Sequence, residues 1–511
     1  WEGFATLPTD VLPYDTEDAP AVPLLMEAAG REGDAAGARD LAEYLGGLPL
    51  ALVVAGALIR TEGYGFAAYR AEIDRVIAEV PKNAAYPDSV IGAVKLSYDR
   101  LPEDAQAVAD VLAWWAPEAL TPYLLTGAPE GAQWQAVKGD LSEAMSALVS
   151  DPARVRAAFQ ALVDASLLVR EGRADGAHAM HRMTGAALRA VQGEASAVPA
   201  ATALLAAVYP GQTQDSANWP LCRRLTPHVR ALWETGAAPR TTAMGYLLCQ
   251  AGLFLRTVGD YAGALALAEA GFELVEALHA PEDRDCAAAL HNLGTARLQA
   301  GDRNGALRAL RRVVDLSQTH RPGTEDLAAS LDQLGLVLGE MARAGQREHL
   351  PEAVKAVQRA LALRLGLHGR RAAPVAQSLN NLGAIRRTQG RGTAAARLVA
   401  ASLTINRDVL PAGDARIAYG ALNSGGSWLE AGRADLAEPL LREALDIWRA
   451  AYVAEPEHPE LRAAAEGLIL CLLVRAAAGE VAEARRLCDE FGLDWVDAQA
   501  TARQYRYTPP G

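Results

Sequence analysis

The chain has 511 residues, half of them apolar, with 62 acidic against 49 basic side chains. That length holds more than one domain and the apolar half supports large buried cores. A net charge of −13 argues against general affinity for nucleic acid or an anionic membrane.

In chain order, residues 1–20 (WEGFATLPTDVLPYDTEDAP) are proline-rich, lack a helical period and read as a strand end and loop. The chain starts at Trp1 rather than Met, which reads as a piece of a longer protein. Short helices are expected over residues 21–86, with Gly46-Gly47 stopping one and Pro49 in the first turn of the next. The apolar run at Leu48–Ile59 is too short to span a membrane. A second block, 87–195, carries VIGAVKLSYDRLPEDAQAVADVLAWWAP, a helix at DPARVRAAFQALVDASLL, and two apolar edges around Gly172-Arg173-Ala174-Asp175-Gly176 that read as a β-hairpin. Helices followed by a hairpin suggest a winged helix. Residues 196–242 read as a helical linker, 243–500 as a repeat array and 501–511 as a tail.

The array repeats. Ala264, Ala306, Ala353, Ala395, Ala437 and Ala484 lie 42, 47, 42, 42 and 47 residues apart, and Gly259, Gly301, Gly390, Gly432 and Gly479 each precede one of them by five. Gly252, Gly294, Gly383 and Gly425 stand seven residues before four of those glycines. Small residues there let two helices approach closely, and the glycine between them ends the first. A lone hairpin cannot bury its apolar face, so several must stack into a solenoid. Six units are expected, the last without its first glycine and the third with a longer first helix or loop after Gly335. This pattern resembles the tetratricopeptide repeat, in the longer-helix variety of kinesin light chains and many bacterial signalling proteins.

Taken together, LAEYLGGLPLAL, LSYDRLPEDAQ, a hairpin ending MHRMTGAAL and then the repeats resemble the C-terminal part of NB-ARC proteins, which are STAND-class signalling ATPases. In that family a Gly-Leu-Pro-Leu motif closes over the adenine and a Met-His motif contacts the ADP phosphate. The resemblance therefore implies Gly47, Leu48, Pro49, Leu50, Met180 and His181 as cofactor-binding residues, with Arg182 where the family often has Asp. It further implies a nucleotide-binding domain upstream of Trp1, ADP or ATP in the full-length parent, and oligomerisation of the parent on activation.

None of the four lysines (Lys82, Lys95, Lys138, Lys355) follows a glycine or precedes Ser or Thr, so the chain has no Walker A loop. It is expected to be no enzyme and to retain no nucleotide by itself. The helix at residues 151–168 carries Asp151, Arg154, Arg156 and Asp164, a balance of zero. Groove binding needs a basic face, so nucleic acid is not the expected partner; a tetratricopeptide adaptor or transcription regulator with a DNA-binding winged helix is the alternative reading. Two residues before each first-helix glycine stands a carboxamide: Gln250, Asn292, Gln333, Asn381 and Asn423. Carboxamides donate and accept, so a row of them can grip an extended protein or peptide ligand in the concave groove, or else brace adjacent helices. His178 and His181 are the one close histidine pair and fall in the expected hairpin, so no metal site is expected. The five cysteines (Cys222, Cys249, Cys286, Cys471, Cys488) are scattered without a CxxC, which fits a reducing cytoplasm. The expected fold is mainly α: a small helical bundle, a winged-helix domain with a short hairpin, and an α-solenoid.

Overall fold

A computed structural model of the chain describes residues 11–77, 88–127, 132–173, 176–192, 197–453 and 458–506. Among these the fold is mainly helical, and it divides into two compact units, Trp1–Ala251 and Gly252–Gly511.

The first unit opens with α1 (Ala21–Ala29), α2 (Ala35–Tyr44), α3 (Pro49–Glu62) and α4 (Phe66–Ile77). Gly46 and Gly47 take φ of 69° and 63°, which ends α2, and Pro49 then occupies the first turn of α3, where a missing N–H costs nothing. α1 packs tightly on α3: a Cβ at Gly56 would lie 2.4 Å from Ala28 Cβ. Next come α5 (Asp88–Asp99), α6 (Glu103–Leu112), the short α7 (Tyr123–Thr126), α8 (Ala132–Val137) and α9 (Glu143–Val149), then α10 (Pro152–Asp164). Asp151 caps α10 by accepting from the N–H groups of Ala153 and Arg154. Two strands follow, β1 (Val169–Arg170) and β2 (His178–Ala179), paired antiparallel with Val169 opposite Ala179. Leu120 adds a bridge, exchanging both backbone hydrogen bonds with His178. Asp175, on the expected loop, lies outside the described residues. The unit continues with α11 (Arg182–Gln192), α12 (Ala197–Val208) and α13 (Trp219–Glu234), and α14 (Thr242–Thr257) spans the boundary between the units.

In the second unit, helices alternate along the array: α15 (Tyr261–Leu278), α16 (Arg284–Gln299), α17 (Arg303–His320), α18 (Glu325–Arg343), α19 (Leu350–His368), α20 (Ala373–Thr388), α21 (Gly392–Val409), α22 (Ala415–Glu430), α23 (Ala434–Ala451), α24 (Pro459–Arg475) and α25 (Ala478–Phe491), closed by α26 (Trp495–Arg506). Between the helices of a pair, Gly259, Gly301, Gly390 and Gly432 all take φ between 74° and 89°, a left-handed turn that a Cβ resists. After the glycine, Asp260 and Asp302 cap the second helix by accepting from Gly263 and Gly305 N–H at 2.8 Å. In the third pair Gly345 makes the turn, and the extra residues form a longer α18 and a 3₁₀ turn at Arg347–His349. The sixth pair departs from expectation. Gly479 lies inside α25, and the left-handed residue is Ala476, φ 59°.

The small residues do what their spacing predicts. A Cβ would lie 2.7 Å from Leu310 Cγ at Gly294, 2.3 Å from Val357 Cγ2 at Gly335, 2.5 Å from Val399 Cγ2 at Gly383 and 2.6 Å from Leu441 Cγ at Gly425. The facing alanines Ala306, Ala353, Ala395 and Ala437 are fully buried. Valine has one favoured rotamer in a helix and cannot swing away. Gly383→Ala should therefore cost about 1–3 kcal/mol as overpacking. Gly392→Ala, at an open helix start with nothing within 4 Å of the new methyl, should be neutral or raise stability by up to about 1 kcal/mol. Thermal denaturation of the two variants checks this; equal shifts would mean that the glycine contact does not set the hairpin.

Candidate functional site

Successive first helices touch one another: α16 with α18, α18 with α20, α20 with α22 and α22 with α24. Successive second helices are spanned instead by long pairs such as Arg311–Glu352, Arg407–Glu443 and Arg442–Glu483. First helices therefore line the inside of the curve. The curve is tight enough that α24 returns to the first turn of the array. His458 Nδ1 accepts from Glu460 N–H at 3.2 Å, which leaves the ring proton of the neutral imidazole on Nε2, 3.3 Å from the Thr257 carbonyl it donates to. Pro459 stands against Gly259, 3.2 Å from where a Cβ would be.

On this inner side the four carboxamides of the second unit do not form one open row. Asn381 is buried and accepts from Gln377 at 2.9 Å. Asn423 is half-buried and donates to Asn380 at 3.1 Å, joining α22 to α20. These two are used as braces. Asn292 and Gln333 are half-buried and make no side-chain hydrogen bond with a described residue. Gln250, in the first unit, is half-buried with its Oε1 unpartnered.

The position one residue earlier carries polar groups that the sequence reading passed over: His291, Asp332 and Asn380. His291 Nδ1 lies 3.2 Å from Ser330 Oγ. Because Ser330 gives its proton to the Asp326 carbonyl, the imidazole is the donor and Nε2 is left as an acceptor. Burial first, and then the Arg256 charge, push His291 down to about 4, so the ring is neutral at pH 7. Asp332 is buried against Arg364 of α19. Arg364 also reaches Glu325 (2.9 Å), Ser378 Oγ (2.9 Å) and the Pro374 carbonyl (3.0 Å), so it ties the third pair to the fourth. Burial outweighs the guanidinium and pushes Asp332 up to about 6. A scan for polar residues at the neighbouring offset would have found these positions.

In the first unit the Gly47–Leu50 turn is filled by the chain's own start. Leu12 N–H donates to the Gly47 carbonyl at 2.9 Å, a Cβ on Gly47 would lie 2.2 Å from the Leu12 carbonyl, Pro49 is buried, and Leu48 and Leu50 are half-buried. Met180 is buried, and its N–H donates to the Pro117 carbonyl at 2.7 Å. His181 is exposed and its Nδ1 accepts from Met183 N–H at 3.2 Å, capping α11. That cap fixes the tautomer: the neutral ring carries its proton on Nε2, as a donor. Desolvation, then Arg182, holds His181 below the usual histidine range. Met180, His181, Arg182 and Arg189 line a cavity of about 510 Å³ with Trp114, Trp115 and Glu234. Arg189 is engaged with the Ala113 carbonyl and the Trp114 ring. The Gly47–Leu50 residues do not line that cavity. Among the described residues no His, Cys, Asp and Glu group could hold a metal ion, and no single helix is long and apolar enough to cross a membrane.

Models of the tetratricopeptide repeat match residues 243–319, 375–414 and 421–460, so these segments are tetratricopeptide repeats. Solved structures similar to the chain include kinesin light chain-like TPR repeats from Podosopora anserina (18% identity, 40% of this chain and 93% of that one, TM-score 0.32). BtubC from P. vanneervenii is 18% identical over 47% of this chain and 90% of its own, TM-score 0.33. Rap protein complexed with competence and sporulation factor is 10% identical over 56% and 78%, TM-score 0.41. No curated protein matches.

Removing Arg364 leaves a buried carboxylate without its charge partner. Arg364→Met should cost about 3–5 kcal/mol. A carboxyl held above its unfolded value binds its proton more tightly in the folded chain, so its contribution is present at acid pH and lost as pH rises through the folded pKa. With Arg364 gone that pKa rises further, so the variant should melt closer to wild type at pH 5 than at pH 7.5. Melting curves at the two values check both parts.

Proposed function

We propose that the repeat array is a receptor for an extended peptide or a partner's loop, and that the chain is the sensor half of a STAND-type nucleotide-dependent switch. The observation that carries the first part is the pair Asn292 and Gln333. They stand on neighbouring inner helices, half-exposed, with donors and acceptors that no described residue uses. Polar groups of that kind gain most when a ligand backbone supplies the missing partners. In the switch reading, residues 21–86 are the small helical domain, 87–195 the winged helix, 196–242 a helical linker and 243–500 the sensor. The spent charge on α10 favours an intramolecular role over DNA: Arg154 pairs with Asp104 at 2.6 Å. The cavity at α11 suits the phosphate end of ADP in the parent, with His181 Nε2–H as donor and Arg182 as the nearby cation. The nucleotide would bring no chemistry of its own here, since its role is to hold the closed state. Gly47–Leu50, filled by residues 11–14 in this chain, would meet the adenine only in the parent.

Asn292→Ala with Gln333→Ala should leave the melting temperature unchanged and weaken a peptide selected against the array from a displayed random library. Two lost hydrogen bonds at roughly 0.5–1.5 kcal/mol each correspond to about 5- to 150-fold in affinity. Unchanged affinity with a native melting curve would place the ligand elsewhere. In the full-length parent, His181→Ala should lose about 1.5–3 kcal/mol of ADP-bound closed state, a shift of roughly 10- to 100-fold toward the open form. ADP retention and oligomer size of the purified parent measure it; equal ADP content and an unchanged monomer would make His181 a helix cap and nothing more.

A further inference from the structure

The pairing of cations along the outer helices stops at one place. Residues 353–407 hold ten basic side chains and no acidic one. Outside that stretch 39 basic side chains stand against all 62 acidic ones. The stretch covers most of α19, all of α20 and most of α21. Elsewhere an arginine on one second helix finds a glutamate on the next, as Arg311 does with Glu352, Arg407 with Glu443 and Arg442 with Glu483. Among the described residues no such pair joins α19 to α21. The one acid of α19, Glu352, is held by Arg311, and the one acid of α21, Asp408, stands in its last turn. Lys355, Arg359, Arg370, Arg371, Arg391 and Arg397 are left over. All six are exposed, and their side chains make no hydrogen bond or ion pair with a described residue.

The leftover groups fall into order on the repeat. Lys355 and Arg397 stand two residues after the buried Ala353 and Ala395, so the repeat sets them side by side on neighbouring second helices. Arg359 is one turn beyond Lys355. Like charges four apart on a helix repel, so the fold gains nothing from this row. At the far end of the same two helices the exposed side chains are aliphatic. Leu365 and Leu367 on α19 and Val409 on α21 keep 40%, 47% and 41% of their surface open. Leu367 and Val409 again share an offset, fourteen residues after the alanines.

We propose that the outer side of α19 and α21 is a docking surface for an acidic amphipathic helix of a protein partner. From Lys355 to Leu367 the surface runs about 18 Å at roughly 1.5 Å per residue, the length of a helix of about twelve residues. Glutamates along such a helix meet Lys355, Arg359 and Arg397, and its leucines cover Leu365, Leu367 and Val409. Other anionic partners fit less well. The stretch has no Phe, Tyr or Trp on which single-stranded nucleic acid could stack. A duplex or a lipid surface extends past the band and meets the excess of acidic side chains outside it, whereas a short helix covers the band alone. The surface is separate from the inner side and does not depend on the peptide-receptor reading.

The test measures binding to the whole chain at about 0.15 M salt, where charges farther apart than about 8 Å are screened. The main probe is a labelled peptide of about sixteen residues, long enough to hold a helix, with glutamate on one face and leucine on the other. The others are the same peptide with glutamine for glutamate, vesicles of phosphatidylcholine with phosphatidylserine, and duplex DNA. The acidic peptide should bind, and more weakly as salt rises. Its glutamine counterpart should bind at least about tenfold less tightly; this arm needs no variant, so it stands whatever a substitution does to folding. The triple variant Lys355→Gln, Arg359→Gln, Arg397→Gln should lose at least about tenfold in affinity for the acidic peptide. It should melt at or above the wild-type temperature, because it relieves repulsion. Leu365→Ser with Leu367→Ser should weaken binding and leave its salt dependence as in the wild type. No binding of the acidic peptide, equal affinity for the two peptides, or wild-type affinity in the triple variant would overturn the proposal. So would a lower melting temperature of the triple variant, which would make the row structural, and tighter binding of vesicles or duplex DNA, which would assign the band to lipid or nucleic acid.

Discussion

Each hairpin of the array is set by the distance at which its two helices cross. Gly335 faces Val357, and Gly383 faces Val399, closer than any added side chain permits. The hairpins are therefore thin at the same point in unit after unit, with fully buried alanines opposite. Stacking units of one shape adds one rotation per unit. Here the rotations add up until α24 meets the turn at Gly259. Groups far apart in the chain, such as His458 and Thr257, become neighbours only through that accumulated curvature.

The seams between pairs use one position for different chemistry. Eleven residues after Ala306, Ala353, Ala395 and Ala437 stand Ser317, Arg364, Asn406 and Trp448. Arg364 donates to the Pro374 carbonyl and Asn406 to the Arg416 carbonyl, each ten residues ahead, at the start of the next first helix. Trp448 fills the same place with a fully buried ring stacked on Tyr452. A buried ion pair such as Arg364–Asp332 gives up much of its attraction to desolvation. What the polar seams supply is direction: a guanidinium or amide aimed at one carbonyl fixes how one hairpin sits on the next, which apolar packing leaves looser. The aromatic seam lies where the array closes, and there the rings carry position from α22 to α24.

The repeats were legible because their marks recur at fixed spacing, and each mark has a local cause: a left-handed turn, a close crossing, a capped helix start. Gly479 misled for the same reason. It keeps the spacing, but the turn before α25 is made at Ala476, and spacing alone cannot say which of two small residues takes the left-handed backbone. The carboxamides were legible as a pattern, but not in their partners. Asn381 and Asn423 found partners in Gln377 and Asn380, which lie at other offsets and vary from unit to unit. Arg256 was not legible at all. It looks like one arginine among many, and nothing in the sequence marks its Nε as buried without a partner.

Charge placement over the array gives the inner face its meaning. The chain is acidic overall, and several cations on its outer helices are matched in place: Arg312 to Glu276, Arg311 to Glu352, Arg407 to Glu443, Arg449 to Glu490. Exposed pairs of this kind contribute about 0–1 kcal/mol each, so their use is less in stability than in spanning successive second helices. The inner face is different. Arg364 is enclosed by Asp332 and Glu325, whereas Arg256 is half-buried with its Nε unpartnered among the described residues. A cation partly shielded from water attracts an anion more strongly than a solvated one.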